Sequence, residues 1–278
     1  MVNHYASKTL ILLSLLVTIP LILSFSPSYR ISSTRNAPFK LSVTSSITTG
    51  SAPQLESILK KPSKVLTVGV ELDESIRGGD LSMLSMQLRK SKVSAIYSSN
   101  LDQIEEIAKE QETARGNFPG PLPIIYTGND YTAAVENGAC AVILSVSEND
   151  DLPNVETEVI WKVSTIDQVD EVMQQTGNTA NAFMIDSNDD IENLISNIPD
   201  GSLCIAAVEP MQPDEAEISQ GKEFKRLGCA SILILKACVG DSEDLPYAQY
   251  IVHGLTSKAS SQFKFTGLTG KCYALCLI

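Results

Sequence analysis

From Val65 onward the chain alternates short, nearly continuous apolar runs with longer polar or amphipathic stretches. The runs are "VLTVGVE" (65–71), "VSAIYS" (93–98), "LPIIYT" (122–127), "CAVILSV" (140–146), "VIWKVS" (159–164), "AFMID" (182–186), "LCIAAVE" (203–209) and "SILILK" (231–236). Unbroken apolar character over so few residues predicts strands covered on both faces, as in a parallel sheet flanked by helices. Between them, "DLSMLSMQLRKSK" repeats Leu81, Leu84 and Leu88 at helical spacing. "NLDQIEEIAKEQETARGN" opens on Asn100, a suitable N-cap, and several of these stretches close on glycine, the usual helix stop. "SENDDLPNVETE", after the fourth run, is too short and broken for a full helix.

Eight β/α units in about 210 residues predict an α/β fold, a (β/α)8 TIM barrel with a leading helix in "PQLESILKKPSK". An open doubly wound sheet is the competing architecture, and it usually carries a glycine-rich first turn. Here the first run is followed by "LDESIRGGD" without GxGxxG, which favours the barrel and gives no sign of a dinucleotide or other cofactor.

The N-terminus has a different composition. "LILLSLLVTIPLIL" (10–23) follows Lys8 and, at 14 residues, is shorter than a bilayer-spanning helix. It has the character of a signal-peptide core. Residues 25–51 are rich in Ser and Thr, basic and free of acids, as transit peptides are. The expected organisation is a signal peptide over 1–24, a transit-like leader over 25–51, the barrel over 52–263 and a tail over 264–278. Phe25 followed by this leader resembles the bipartite plastid presequence of algae with secondary plastids, which implies a plastid stroma. A secreted protein with a disordered leader is the other reading. No membrane span is expected in the mature chain.

Charge narrows the partners. Residues 1–55 hold Lys8, Arg30, Arg35 and Lys40 and no acid, which leaves 17 basic against 33 acidic side chains beyond them. Such a body repels nucleic acid and anionic membranes. The six cysteines form no CxxC pair, and His4 and His253 are the only histidines, so no zinc or iron–sulfur ligand set can be assembled. Most cysteines lie in apolar runs, as small buried hydrophobes in a reducing compartment do.

In a barrel of this kind chemistry sits at the C-terminal ends of the strands. Those ends read Glu71, Tyr97 and Ser98, Tyr126 and Thr127, Ser145, Lys162, Asp186, Glu209 and Lys236. Charged groups are rarely buried unpaired, so five ionisable ends converging on one mouth can satisfy one another. Glu71, Lys162, Asp186, Glu209 and Lys236 are the candidate catalytic residues: a desolvated lysine as base or Schiff-base nucleophile, a carboxylate as general acid or base. A structural ion-pair network is the alternative. Tyr126, Thr127, Ser145 and Gly240 are candidate substrate contacts. Gly240, after the eighth run, would let the backbone approach an anion, but Asp241, Glu243 and Asp244 compete for the same N–H groups.

The order of pieces resembles indole-3-glycerol-phosphate synthase and the wider ribulose-phosphate-binding barrels over about residues 52–250. "LPIIYTGNDYTAAVENGACAVILSV" is similar to that family's third strand, helix and fourth strand, and "FKRLGCASILI" to its "LRELGADAFLV". The resemblance implies a lyase acting on a phosphorylated substrate. The departures put that chemistry in doubt: the family's lysines at strands one and three are here Glu71 and Tyr126-Thr127, its strand-five glutamate is Lys162, and its Gly-Glu-Ser phosphate turn has become "KACVGD". Asp186 stands near the family's strand-six asparagine and Glu209 near its strand-seven glutamate. Two stretches, "QLRKSKVSAIYSS" and "KEQETARGNFPGPLPIIYTG", look like those of plastid barrel proteins of plants and algae. The expectation is a plastid barrel enzyme, a lyase or isomerase on a small phosphorylated or carboxylated metabolite; the alternative is a non-catalytic barrel serving as ligand sensor or assembly factor.

Overall fold

Eight parallel strands pair in sequence order, and the first pairs with the last, so the sheet closes into a barrel. The computed structural model describes residues 52–61, 65–76, 79–146, 157–186, 190–210, 216–238 and 244–257. The expected signal peptide and leader, Gly240 and the expected tail lie outside them. The strands are β1 (Thr67–Leu72), β2 (Ala95–Ser98), β3 (Ile124–Tyr126), β4 (Ala141–Ser145), β5 (Glu158–Val163), β6 (Ala182–Ile185), β7 (Leu203–Val208) and β8 (Ser231–Cys238). Each lies within two residues of its sequence-based bounds. The described helices are α1 (Pro53–Leu59), α2 (Gly79–Lys90), α3 (Leu101–Thr113), α4 (Tyr131–Glu136), α5 (Ile166–Gln175), α6 (Ile191–Asn197), α7 (Ala216–Leu227) and α8 (Asp244–Thr256).

The apolar runs divide by parity into two layers. Val68, Val70, Ile96, Trp161, Phe183 and Ile232 point outward and pack beneath the helices. Ala95, Tyr97, Ile125, Ile143, Ile160 and Leu233 fill the barrel interior. This double burial is why the runs read as continuous rather than alternating. Local signals set the helix ends. The Asn100 side chain accepts a hydrogen bond from the Asp102 N–H at the start of α3, and Thr165 and Gln168 form a reciprocal capping box on α5. Gly138 and Gly228 follow α4 and α7 with φ of 107° and 119°, a region costly for any residue with a Cβ.

The leading helix closes the base. Leu55 and Leu59 of α1 are fully buried among the interior residues, each worth about 2 kcal/mol of apolar burial. Small residues at the strand starts, Ala141 and Ala182 among them, belong to the same cluster and leave room for them. Polar groups orient the plug. The Glu158 carboxylate accepts from the backbone N–H groups of Gln54 (2.5 Å) and Leu55 (2.8 Å), the unpaired donors of the helix N-terminus. Asn181 accepts from the Ala52 N–H and donates to Glu56, and the Thr67 hydroxyl donates to the Leu59 carbonyl. Chemistry is thereby left to the opposite end. No described helix is long and apolar enough to cross a membrane.

Candidate active site at the barrel mouth

A cavity of about 790 Å³ opens at the C-terminal ends of the strands. Its floor is apolar, with Ile143, Met184 and Leu233, and its walls are polar. Of the nine sequence-based site residues, six line it: Glu71, Thr127, Ser145, Lys162, Asp186 and Lys236. Glu71, Ser145 and Lys162 share the inward parity of their strands, and Asp186 follows β6 in the same phase as Met184.

Lys236 arrives differently. Ile232 and Ile234 point outward, so simple alternation would turn Lys236 outward as well. Between the pairs Val70↔Ile234 and Leu72↔Cys238, β8 carries two residues more than β1. Within this bulge Lys236 adopts φ 43°, uncommon for a residue with a side chain, and it is exposed at the mouth. Bulges commonly re-aim side chains beside functional sites. The turned backbone also offers its N–H to Glu71 Oε2 at 3.2 Å.

The charges meet as opposed groups. Lys162 Nζ lies 2.8 Å from Asp186 Oδ2, with both side chains more than a third exposed. Solvent screening leaves such a pair little stabilising value, so its position matters more than its strength. Burial pushes the Glu71 carboxyl above its ordinary value; the Lys236 N–H and the Lys236 and Lys162 charges oppose this, and the Glu209 charge adds to it. Glu71 is therefore the carboxyl best placed to hold and return a proton. Asp73, on the loop after β1, is shifted the other way by hydrogen bonds from Ser75.

Three expectations change. Tyr126 does not line the cavity. The three residues of β3 turn it outward into the layer beneath the helices, where it is buried. Its hydroxyl accepts from the Asp130 N–H at 3.2 Å, and its ring meets Tyr131 edge-on at 6.5 Å. It holds the β3–α4 loop, and that loop presents Thr127, Asn129 and Tyr131 to the cavity. Tyr97, noted at the end of β2, is fully buried inside the barrel and does not line the mouth. Glu209 stands exposed just past the end of β7, outside the cavity lining, with its charge felt at Glu71.

Strand-end reading missed the β1–α2 loop. Asp73, Glu74 and Ser75 line the mouth together with Ser99 from the β2–α3 turn. The Ser99 hydroxyl donates to Glu74 at 2.7 Å. Buried Gln103 fixes the loop by donating to the carbonyls of Asp73 (2.8 Å) and Ile76 (3.0 Å) while accepting from the Ser98 hydroxyl at 2.6 Å. A glutamine one turn into an amphipathic helix, on its buried side, was the available signal. Among the described residues no group of three or more His, Cys, Asp or Glu side chains is arranged to hold a metal ion.

The molecule is thus a (β/α)8 barrel with a plugged base and a mixed-charge mouth, the architecture of many small-molecule enzymes. No protein-family model matches the sequence, and no curated protein matches it significantly.

Proposed function

We propose that the mouth is the active site of a lyase or isomerase acting on a small carbonyl metabolite with a carboxylate or phosphate group, in a plastid. The observation that carries this reading is the Lys162–Asp186 pair at 2.8 Å in one cavity with Glu71. Asp186 holds the Lys162 side chain at the cavity wall, and the ammonium gives up its proton to solvent. The free amine then adds to the substrate carbonyl carbon, and loss of water gives an iminium, an electron sink. Glu71 removes a proton from the adjacent carbon and returns it to a neighbouring one, an isomerisation, or takes a hydroxyl proton as the carbon–carbon bond breaks, a lyase reaction. Compared with the synthase barrels that the sequence resembles, acid and amine have exchanged places between strands one and five, so a shared fold supports different chemistry.

Borohydride trapping tests this. The protein is incubated with pyruvate, glyceraldehyde 3-phosphate or a plastid extract, reduced, and mapped by peptide mass spectrometry. A reduced adduct is expected on Lys162, and Lys162→Met should lose it while remaining folded. Protection from melting without any adduct on Lys162 or Lys236 would replace the enzyme with a ligand-binding barrel.

The plastid location rests on the acid-free, Ser/Thr-rich leader that follows the short apolar core. Residues 1–55 fused to a fluorescent reporter should reach the plastid of an alga with secondary plastids, and Phe25→Ala should keep the reporter out of the stroma. Secretion of the unmutated fusion would reject the assignment.

A further inference from the structure

We infer that Cys204 and Cys229 form a disulfide when the protein is oxidised, a covalent staple between the start of β7 and the approach to β8. Both are free thiols in this structure. Their Sγ atoms lie 3.1 Å apart, and both side chains are buried in the layer beneath the helices. Bond formation brings two sulfurs to about 2.05 Å, so the pair must close by about 1 Å, a movement within reach of side-chain rotation. The backbone on both sides is anchored. The Cys204 carbonyl accepts from the Ala230 N–H at 2.9 Å, and the Cys229 N–H donates to the Phe224 carbonyl at 2.9 Å. Cys140, the third free cysteine described, is engaged elsewhere, its thiol donating to the Ile124 carbonyl at 3.2 Å. The pair stands at the strand starts, remote from the mouth, so it does not depend on the chemistry proposed there.

With a peroxide as oxidant the step balances. One thiolate sulfur attacks a peroxide oxygen; the O–O bond breaks, and the departing hydroxide takes up the thiol proton as water. The sulfenic acid left behind is attacked by the second sulfur, and a second water leaves as the S–S bond forms. Two thiols are oxidised and one peroxide is reduced. Glutathione disulfide reaches the same product by two successive exchanges, releasing two molecules of glutathione. The hydrogen bond to Cys229 and burial push the Cys204 thiol up, which disfavours a lone thiolate and slows closure. A slow, buried link is a durable staple rather than a rapid sensor. The two cysteines stand 25 positions apart, and the chain between them carries the rest of β7 and all of α7. Closing that interval restricts the unfolded chain and so favours the folded barrel.

Peptide mapping and melting of the full chain test this, after incubation with hydrogen peroxide, glutathione disulfide or dithiothreitol. A further sample is refolded in glutathione disulfide, so that burial in the native core does not keep the oxidant out. Lys222, Lys225 and Arg226 lie between the two cysteines, so trypsin separates them unless they are bonded. The oxidised samples should yield a Cys204–Cys229 linked peptide, two hydrogens lighter than its parts, that dithiothreitol splits. The oxidised protein should melt about 5–8 °C above the reduced one. Cys204→Ala and Cys229→Ala should each lose both the linked peptide and the dependence of the midpoint on oxidant. Cys140→Ala should keep both. If both thiols are alkylated after unfolding of every oxidised sample, or are linked only to other cysteines, the inference falls. A Cys204–Cys229 link that leaves the midpoint unchanged or lowers it overturns the staple.

Discussion

Replacing Glu158 by alanine should lower the thermal midpoint by about 6–12 °C, corresponding to about 3 kcal/mol for a barrel of this size. The carboxylate is buried and accepts the N–H groups of Gln54 and Leu55. Alanine leaves both donors without a partner at a buried helix end, and charge-assisted bonds of this kind are the stronger class. Part of that loss is offset. Burial pushes the Glu158 carboxyl up, so the charge is held at a cost that alanine removes. Glutamine keeps one acceptor and should lose about half as much. Melting curves, with hydrogen exchange at the Gln54 and Leu55 amides, would show it. An unchanged midpoint would mean that the apolar contacts of Leu55 and Leu59 hold the plug alone.

Gly69→Ala is the other large effect. Gly69 faces the barrel interior beside Tyr97, and a Cβ there would come within 2.5 Å of the Tyr97 ring. The ring is fully buried in the barrel interior. Overpacking of this kind costs about 2 kcal/mol, or about 4–8 °C. The cost should be coupled to the ring: in the background of Tyr97→Leu, the same alanine should cost far less. Equal losses in both backgrounds would place the strain elsewhere.

These two positions show what the sequence could and could not disclose. Strand existence was legible because both faces of every strand are covered, so that apolar runs stand out from the polar helix surfaces. Facing was harder. Glu71, Lys162 and Asp186 were readable because each keeps the phase of its strand. Tyr126 was misread because β3 is three residues long and a one-residue change of phase exchanges mouth for helix layer. Lys236 reached the mouth only through a bulge and a left-handed backbone, which no periodicity encodes. Asp73, Glu74 and Ser99 lie on loops, where position follows from tertiary anchors such as Gln103 rather than from local pattern. Glu158 stands at the start of β5, one residue before the apolar run, and its partners lie more than a hundred positions away.

The plugged base has a practical corollary for handling the protein. Ala52 is pinned to Asn181 at the end of the barrel remote from the cavity. Whatever precedes Ala52 therefore joins the molecule on the far side from the mouth. A tag, carrier or surface tether attached through that side leaves the cavity facing solution. Truncation past Pro53 would cut into the stopper itself, so the base sets a physical limit on how far the N-terminal side can be shortened before the barrel loses its closure.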